Sequence, residues 1–259
     1  EMRQITSQAM SDGAFGMSTG LFYVPGSFAS TEEVIELAEV VGSMGGMHIS
    51  HMRDEASRLL DSVRETIRIG EEGGLPTQIT HHKTIGKDNW GMSRETLQLV
   101  AEARARGVDV TIDQYPYTAS HTSLSALFPQ WSMEGGTTAL RERLNAPTQR
   151  ERIKAEIVRV LRFERGAGDA KNVVLSTCDF DPDLAGKDLA ELTRARGVEA
   201  TLENAADTAI EIQQKGACMA VYHAIAEEDV VRIMQSPYTM IASDGGIPQF
   251  GFGVPHPRH

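Results

Sequence analysis

The feature that most constrains the fold is a short strand-like segment that ends in histidine and then recurs. Segments 46–51 and 76–81 are both rich in apolar or β-branched residues, and they end in His51 and His81. Each is followed by a helix-like segment and then a glycine, which makes a βα repeat of about 30 residues, the unit of a parallel α/β fold. Because the chemistry of such folds collects at the C-terminal ends of the strands, we expect the two imidazoles to converge.

Two converging imidazoles favour a metal site, since neutral imidazole is the commonest protein ligand for zinc-like metals. A histidine at a strand end is also a common hydrogen-bonded polar residue, so each one alone has a structural interpretation. A late apolar strand that ends at Asp244, before two glycines, supplies a further candidate. A carboxylate beside a metal can bind it or take a proton from its water, although Asp-Gly is also an ordinary turn sequence. His48 faces away from His51 on its strand, and we expect it to pack between strand and helix.

The βα pattern extends over the first part of the chain and then stops. Strand-like segments at 14–21 and 108–117 flank the two histidine-ending strands and continue the same spacing. Region 118–235 is instead mostly helical in pattern, and its Arg- and Glu-rich segment at 137–163 predicts one long helix with a solvated face. We interpret residues 1–259 as part of one barrel domain, with 118–235 as an insertion or lid before the last strand, or as an enlarged last connection.

Length and charge limit the class of protein. The chain has 259 residues, of which 41% are hydrophobic, enough for an α/β barrel-sized domain or a large part of one. The formal net charge of −11 argues against a nucleic-acid partner and against an anionic membrane surface. It does not exclude an anionic small molecule, because a local pocket can be basic in an acidic protein.

The two cysteines and the absence of long apolar segments bear on the compartment. Cys178 and Cys218 show no metal-binding spacing, so we interpret them as free thiols in a reducing compartment. No apolar run reaches the roughly 18 residues of a membrane span, and no signal peptide is visible. The sequence therefore predicts a cytoplasmic protein. Residues 1–4 resemble the interior of a helix, and the chain stops in a loop-like segment, so we expect a piece of a longer protein.

Six short motifs in a fixed order point to a known family. They are Gly20-Leu21-Phe22-Tyr23 with Pro25-Gly26, Ser50-His51-Met52-Arg53-Asp54-Glu55, His81-His82-Lys83, Asp113-Gln114-Tyr115-Pro116-Tyr117, Ser243-Asp244-Gly245 and His256-Pro257-Arg258. With these motifs the chain closely resembles the N-acyl-D-amino-acid deacylases (D-aminoacylases) of the amidohydrolase superfamily. The resemblance covers nearly the whole chain and is weakest at about 130–215. Any one motif alone is weak evidence, whereas the ordered set is specific.

The resemblance implies a fold and a metal centre. The expected architecture is a (β/α)8 TIM barrel with a metal at its C-terminal mouth, of which this chain supplies about strands 4 to 8. His51 and His81 match the family's metal ligands on two of these strands. Asp244 matches the aspartate of the last strand, which serves in the family as general base. The implied cofactor is zinc, as one ion or two.

The resemblance also implies a substrate. It predicts metal-dependent hydrolysis of the amide bond of an N-acyl-D-amino acid, a small-molecule partner, with release of a carboxylate and a D-amino acid. Tyr23 matches a tyrosine that reaches the scissile amide. Lys83, Tyr115 and Arg258 match residues that hold the substrate carboxylate, and Arg suits this task because its fork can be bidentate. Their structural alternatives are a surface lysine, core tyrosines and a solvated arginine.

The departures from the family pattern keep alternatives open. The family's His-x-His pair, its bridging Cys or acidic ligand and its small β-sandwich are all missing from this sequence. The metal is therefore expected to be absent if ligands outside the chain are required. One alternative is a cyclic-amide hydrolase of the hydantoinase or dihydroorotase type, although the strand at 14–21 lacks the lysine that such enzymes usually carry. The other is a catalytically incomplete fragment with a structural or interaction role.

Overall fold

A computed structural model describes residues 1–259, and the chain divides into two compact units. We call them the parallel unit and the antiparallel unit after their sheets. The parallel unit comprises Glu1–Thr84, Gly91–Pro116 and Glu228–Asp244; the antiparallel unit comprises Ile85–Trp90, Tyr117–Glu227 and Gly245–His259. No helix in either unit is long and apolar enough to cross a membrane.

The parallel unit is built on a five-stranded sheet in which every neighbouring pair is parallel. Numbered in chain order over the whole molecule, its strands are β1 (Gly16–Gly20), β2 (Met47–His51), β3 (Thr77–Ile79), β4 (Val110–Gln114) and β8 (Thr239–Ile241). The order along the sheet is β1-β2-β3-β4-β8, so chain order and spatial order coincide until the last strand. Parallel neighbours need crossover connections, and helices supply them.

The helices of the parallel unit connect its strands, and two of their ends carry a clear local signal. They are α1 (Met2–Ser11), α2 (Thr31–Ser43), α3 (Leu59–Gly73), α4 (Ser93–Ala105) and α10 (Glu227–Met234). Helix α2 is capped at its start, because the Ser30 hydroxyl accepts from the Glu33 amide at 3.2 Å. Helix α3 ends at Gly74, whose φ of 64° lies in the left-handed region that glycine adopts without strain. Buried Leu59, Val63 and Ile67 of α3 pack on the apolar side chains of β3 and β4.

The antiparallel unit has a different sheet, with strands β5 (Ser120–Ser123), β6 (Val173–Cys178) and β7 (Cys218–Tyr222) in the order β5-β7-β6. Its helices are α5 (Gln130–Met133), α6 (Gly136–Asn145), α7 (Pro147–Phe163), α8 (Leu189–Ala195) and α9 (Leu202–Lys215). The single helix predicted at 137–163 is wrong. Pro147 starts a second helix there, since proline lacks the N–H that an interior helical position requires.

The two cysteines form a disulfide, which corrects the prediction of free thiols. Cys178 ends β6 and Cys218 begins β7, and the antiparallel register sets the two residues opposite each other, with their Cα atoms 4.2 Å apart. They are 40 residues apart in sequence, and neither lies in a recognisable spacing motif. The argument for a reducing compartment therefore loses its basis, because disulfides persist mainly in oxidising environments. The cytoplasmic location stays a prediction.

Candidate active site

Polar side chains gather at the carboxyl edge of the parallel sheet. All five strands run in the same direction, so their C-terminal ends share one edge. His51 is the last residue of β2, and His81 follows β3 by two residues. Tyr115 comes directly after β4, and Asp244 follows β8. The edge therefore carries the residue types that the sequence singled out.

The two histidines meet, as predicted. Nδ1 of His51 lies 2.7 Å from Nε2 of His81, within hydrogen-bonding distance. The ring centroids are 4.4 Å apart at an interplanar angle of 74°. Both side chains are largely shielded, with 14% and 11% of their surface exposed. Two imidazoles can share this hydrogen bond only if one donates an N–H and the other accepts with a lone pair, so at least one of them is neutral.

Asp113 ties down the backbone around His81. His81 has a φ of 39°, which is uncommon for a residue with a side chain. Its amide donates to Oδ1 of Asp113 at 2.7 Å, and the Thr80 hydroxyl donates to Oδ2 at 2.7 Å. The Gln78 amide also donates to Oδ2. The next amide, of His82, donates to the main-chain carbonyl of Asp113 at 2.8 Å.

Glu55 is the principal site residue that the sequence pattern did not reveal. Its carboxylate is buried and paired with the Lys83 ammonium. Its oxygens also lie 3.2 Å from Nδ1 of His81 and 3.9 Å from Nε2 of His51. Burial alone raises the pKa of this carboxyl, but the Lys83 charge and the two imidazoles outweigh it and hold the pKa well below its usual value. The available signal was its place four residues after His51 within one motif.

Lys83 is buried at the centre of these groups, so its interpretation as a surface lysine is wrong. Besides its pair with Glu55, its ammonium lies 2.9 Å from Nδ1 of His81 and donates to the His81 carbonyl at 2.7 Å. It is also 5.4 Å from the centroid of the Tyr115 ring. The lysine thus places a positive charge within hydrogen-bonding distance of two of the candidate ligands, Glu55 and His81.

Two tyrosines flank the histidine pair. The Tyr23 ring lies 4.8 Å from the His51 ring, and 40% of this tyrosine is exposed, so it is not a core residue. The Tyr115 ring lies 6.5 Å from the His81 ring, and only 2% of this residue is exposed. One aromatic side chain is therefore accessible to a substrate beside His51, and the other is packed beside His81.

The remaining predicted residues differ in position. Asp244 closes the parallel unit after β8, is exposed, and has a φ of 50°. Arg258 belongs to the antiparallel unit, where it donates from Nη2 to the His121 carbonyl at 2.8 Å. In the same unit Nε2 of His256 donates to the Ala119 carbonyl at 3.0 Å, which gives that buried histidine a structural role. All predicted site residues except Arg258 thus lie in the parallel unit.

His48 behaves as the sequence predicts and takes no part in this cluster. It is buried on the other face of β2, with its two ring nitrogens each 2.9 Å from a threonine hydroxyl, on Thr19 and Thr77. Burial lowers its pKa to about 4. His48 is therefore a neutral, hydrogen-bonded residue of the packed side of the sheet.

The donor set fits a zinc-like ion. One ligand atom each from His51, Glu55 and His81 can be chosen so that all lie within 4.8 Å of one another. Two imidazoles with a carboxylate are a donor set that zinc takes in proteins. The tautomer of His81 decides whether the site is ready: if Nδ1 carries the proton and donates to Glu55, the lone pair of Nε2 faces His51 and is available to a metal. If Nδ1 instead accepts from Lys83, Nε2 carries the proton.

The chain is similar to several known proteins. The chain is 37% identical over 257 residues to a D-aminoacylase from Alcaligenes xylosoxydans xylosoxydans. It is also similar to the structure of a D-aminoacylase with a binuclear metal centre, at a TM-score of 0.70 and 34% identity. A third similar protein is the N-acyl-D-glutamate deacylase from Bordetella bronchiseptica, solved with zinc and a phosphonate mimic of the tetrahedral intermediate (TM-score 0.70, 30% identity). No protein-family model matches the chain.

The extent of these alignments matters for function. The D-aminoacylase alignment covers 99% of this chain but 43% of the relative, and each structural alignment covers 94% of this chain and 42% of the other. The chain thus spans less than half the length of the proteins that it matches. Within that span it has the α/β, parallel-sheet fold of these enzymes.

Proposed function

We propose, from the premise that this chain belongs to the N-acyl-D-amino-acid deacylases of the amidohydrolase superfamily, that the protein hydrolyses the amide of N-acyl-D-amino acids. The products are a carboxylate and a D-amino acid. The observation that carries the proposal is the His51–His81 pair, with buried Glu55 beside it, at the carboxyl edge of a parallel sheet. The five strands correspond to about strands 4 to 8 of a (β/α)8 barrel, with region 118–235 inserted before the last strand.

His51 and His81 would hold the metal, zinc as one ion or two. When bound, zinc supplies Lewis acidity toward the acyl carbonyl and toward water. The protein's own task at this point is to keep both imidazoles neutral and aimed at each other. Glu55 serves this task, since a carboxylate that accepts from Nδ1 of His81 fixes the tautomer with a free lone pair on Nε2.

Asp244 moves the protons of the reaction. An exposed carboxylate at the carboxyl edge can take a proton from the attacking water and then deliver it to the leaving amine, which departs as a neutral group. Tyr23, whose ring lies beside that of His51 and which is 40% exposed, donates from its hydroxyl to the oxygen on which negative charge develops. In the same step Asp244 takes up the positive charge that the attacking water loses as a proton, and Tyr23 stabilises the negative charge on the acyl oxygen.

Substrate orientation falls to the basic and phenolic groups. Lys83 and Tyr115 hold the carboxylate of the N-acyl amino acid, which fixes the scissile amide at the reacting groups, and the family resemblance gives Arg258 a carboxylate-binding role. Because the Lys83 charge is already balanced by Glu55, its contribution to anion binding is smaller than that of an unpaired ammonium. The Arg258 guanidinium can bind a carboxylate through two parallel hydrogen bonds, a geometry that an ammonium does not offer.

The test is turnover by the purified full-length protein with a panel of N-acetyl-D-amino acids, the L enantiomers serving as controls. We expect release of D-amino acids. Asp244→Asn should lower kcat by about 100-fold or more while zinc content stays unchanged, because general base catalysis contributes at least that much. Undiminished turnover in Asp244→Asn would remove its assigned role. If the protein hydrolyses hydantoins but not N-acetyl-D-amino acids, the proposed reaction is wrong and cyclic-amide hydrolysis takes its place.

A further inference from the structure

We propose that Asp113 is a positioning residue for His81: its carboxylate holds the His81 backbone in the left-handed conformation that turns the imidazole toward His51. The inference rests on the proposed function only in that it takes His81 as a metal ligand. Asp113 itself is not among the grouped donors that could hold an ion. It acts through the His81 backbone and is not itself a candidate ligand.

The first support is the backbone of His81. A φ of 39° crowds the Cβ atom of any residue other than glycine, so surrounding contacts must maintain it. Asp113 provides contacts on both sides of that residue. Its side chain accepts the amide of His81 at 2.7 Å, and its main-chain carbonyl accepts the amide of His82 at 2.8 Å. The two peptide groups that bracket His81 are thus bound to one residue of the neighbouring strand.

The second support is how completely the Asp113 carboxylate is committed to this segment. Only 7% of the residue is exposed. Its oxygens accept from the His81 amide, the Thr80 hydroxyl and the Gln78 side chain, all within residues 78–81, the end of β3 and the start of the loop that follows it. Because all three hydrogen bonds of this buried carboxylate go to one short segment, they restrain the conformation of that segment.

The residue type matches the demand. A carboxylate offers two oxygens and about four lone-pair positions, so it can accept from three donors at once. An asparagine retains one oxygen for the His81 amide, but its NH2 group is directed at the Gln78 amide or the Thr80 hydroxyl, where a donor already stands. An alanine provides no side-chain acceptor for the His81 amide. The expected order of zinc affinity is therefore Asp, then Asn, then Ala.

The experiment measures the zinc dissociation constant of the full-length protein by competition with a chromophoric chelator. The Co2+-substituted protein is examined in parallel, because its ligand-field spectrum reports coordination geometry. The variants are Asp113→Ala and Asp113→Asn, and the control is Ile69→Ala, which empties a buried position in the apolar cluster between helices α2 and α3. Thermal unfolding of the metal-free proteins shows whether Ile69→Ala and the Asp113 variants lose comparable stability.

We expect Asp113→Ala to weaken zinc binding about ten-fold or more and to alter the cobalt spectrum, the range seen when an outer partner of a ligand is removed. The zinc affinity of Asp113→Asn should lie between those of the parent and Asp113→Ala. Ile69→Ala should bind zinc within about two-fold of the parent, although its loss of stability is comparable. Parent-like affinity in Asp113→Ala, or an equal loss in Ile69→Ala, overturns the inference.

Activity separates this inference from the proposed function. If Asp113→Ala loses zinc affinity but the zinc-loaded parent turns over no N-acyl-D-amino acid, the role of Asp113 stands and the proposed reaction falls. If the parent is an active deacylase and Asp113→Ala binds zinc normally, the reaction stands and the role of Asp113 falls. A parent that binds no zinc overturns both.

Discussion

The two units of the chain bury charge very differently. The parallel unit buries the acidic residues Glu55, Asp113 and Asp229 and the basic residue Lys83, whereas the antiparallel unit buries Arg165. Buried charges are costly unless they are paired or hydrogen-bonded. Three of the four in the parallel unit lie at the carboxyl edge of the sheet, in contact with His81 or its amide. In a unit that carries a site, buried charges lower stability, but they also fix the ionisation and orientation of the reacting groups.

The antiparallel unit relies on other forces. Its sheet is fastened by the Cys178–Cys218 bond, and its charge pairs, such as Arg159–Glu164, lie nearer the solvent. Exposed pairs of this kind contribute little, since solvent screens them. The comparison therefore teaches that the parallel unit should be sensitive to the loss of single charges and the antiparallel unit to the loss of its covalent bond.

The largest expected effect follows from removing Lys83. Lys83→Met leaves the Glu55 carboxylate buried without its ammonium partner, which should lower the free energy of unfolding by about 3–5 kcal/mol. Urea unfolding of the metal-free protein, followed by far-UV circular dichroism at neutral pH, measures the change. The double variant Glu55→Gln, Lys83→Met is the matched control and should recover most of the loss, because no charge is left unpaired. Equal losses in both variants contradict the account.

The next effect is that of the disulfide. By its 40-residue separation, closing the loop should stabilise the protein by about 3–4 kcal/mol through the entropy of the unfolded chain. Both tryptophans, Trp90 and Trp131, belong to the antiparallel unit, so tryptophan fluorescence reports the unfolding of that unit. We expect Cys178→Ser, or reduction of the parent, to lower the urea midpoint seen by fluorescence. A midpoint indifferent to reductant contradicts the prediction.

Periodicity predicted the scaffold of the site because it is a local property. The alternation and length of segments 46–51 and 76–81 placed His51 and His81 at strand ends, and parallel geometry then required them to converge. The same rule placed His48 on the opposite face. These predictions needed only the direction in which each side chain leaves its strand, which the sequence alone determines.

What the sequence could not predict depends on tertiary contact. Glu55 follows His51 in a run of charged residues that suggests solvent, and its burial becomes visible only when Lys83 is brought beside it. Cys178 and Cys218 carry no local signal for their pairing, which the register of β6 with β7 creates. The break at Pro147 was readable, but the surrounding Arg and Glu residues made a continuous helix the stronger pattern.

The smallest effect of this series concerns His48. It tests whether burial on the packed face of the parallel sheet disfavours the protonated form of this histidine. Its pKa is about 4 in the folded protein and about 6.5 when exposed. Between these values the unfolded chain binds a proton that the folded one does not, so stability falls as pH is lowered from about 6.5 to 4, by at most about 3 kcal/mol, and this residue adds no further loss below pH 4. The urea midpoint measured at intervals over this range gives the slope. His48→Gln, which keeps a hydrogen-bonding group near Thr19 and Thr77, should make the slope shallower, while His82 and His256, whose pKa values burial also lowers to about 4, still contribute to it. An unchanged slope assigns the acid sensitivity to those other groups.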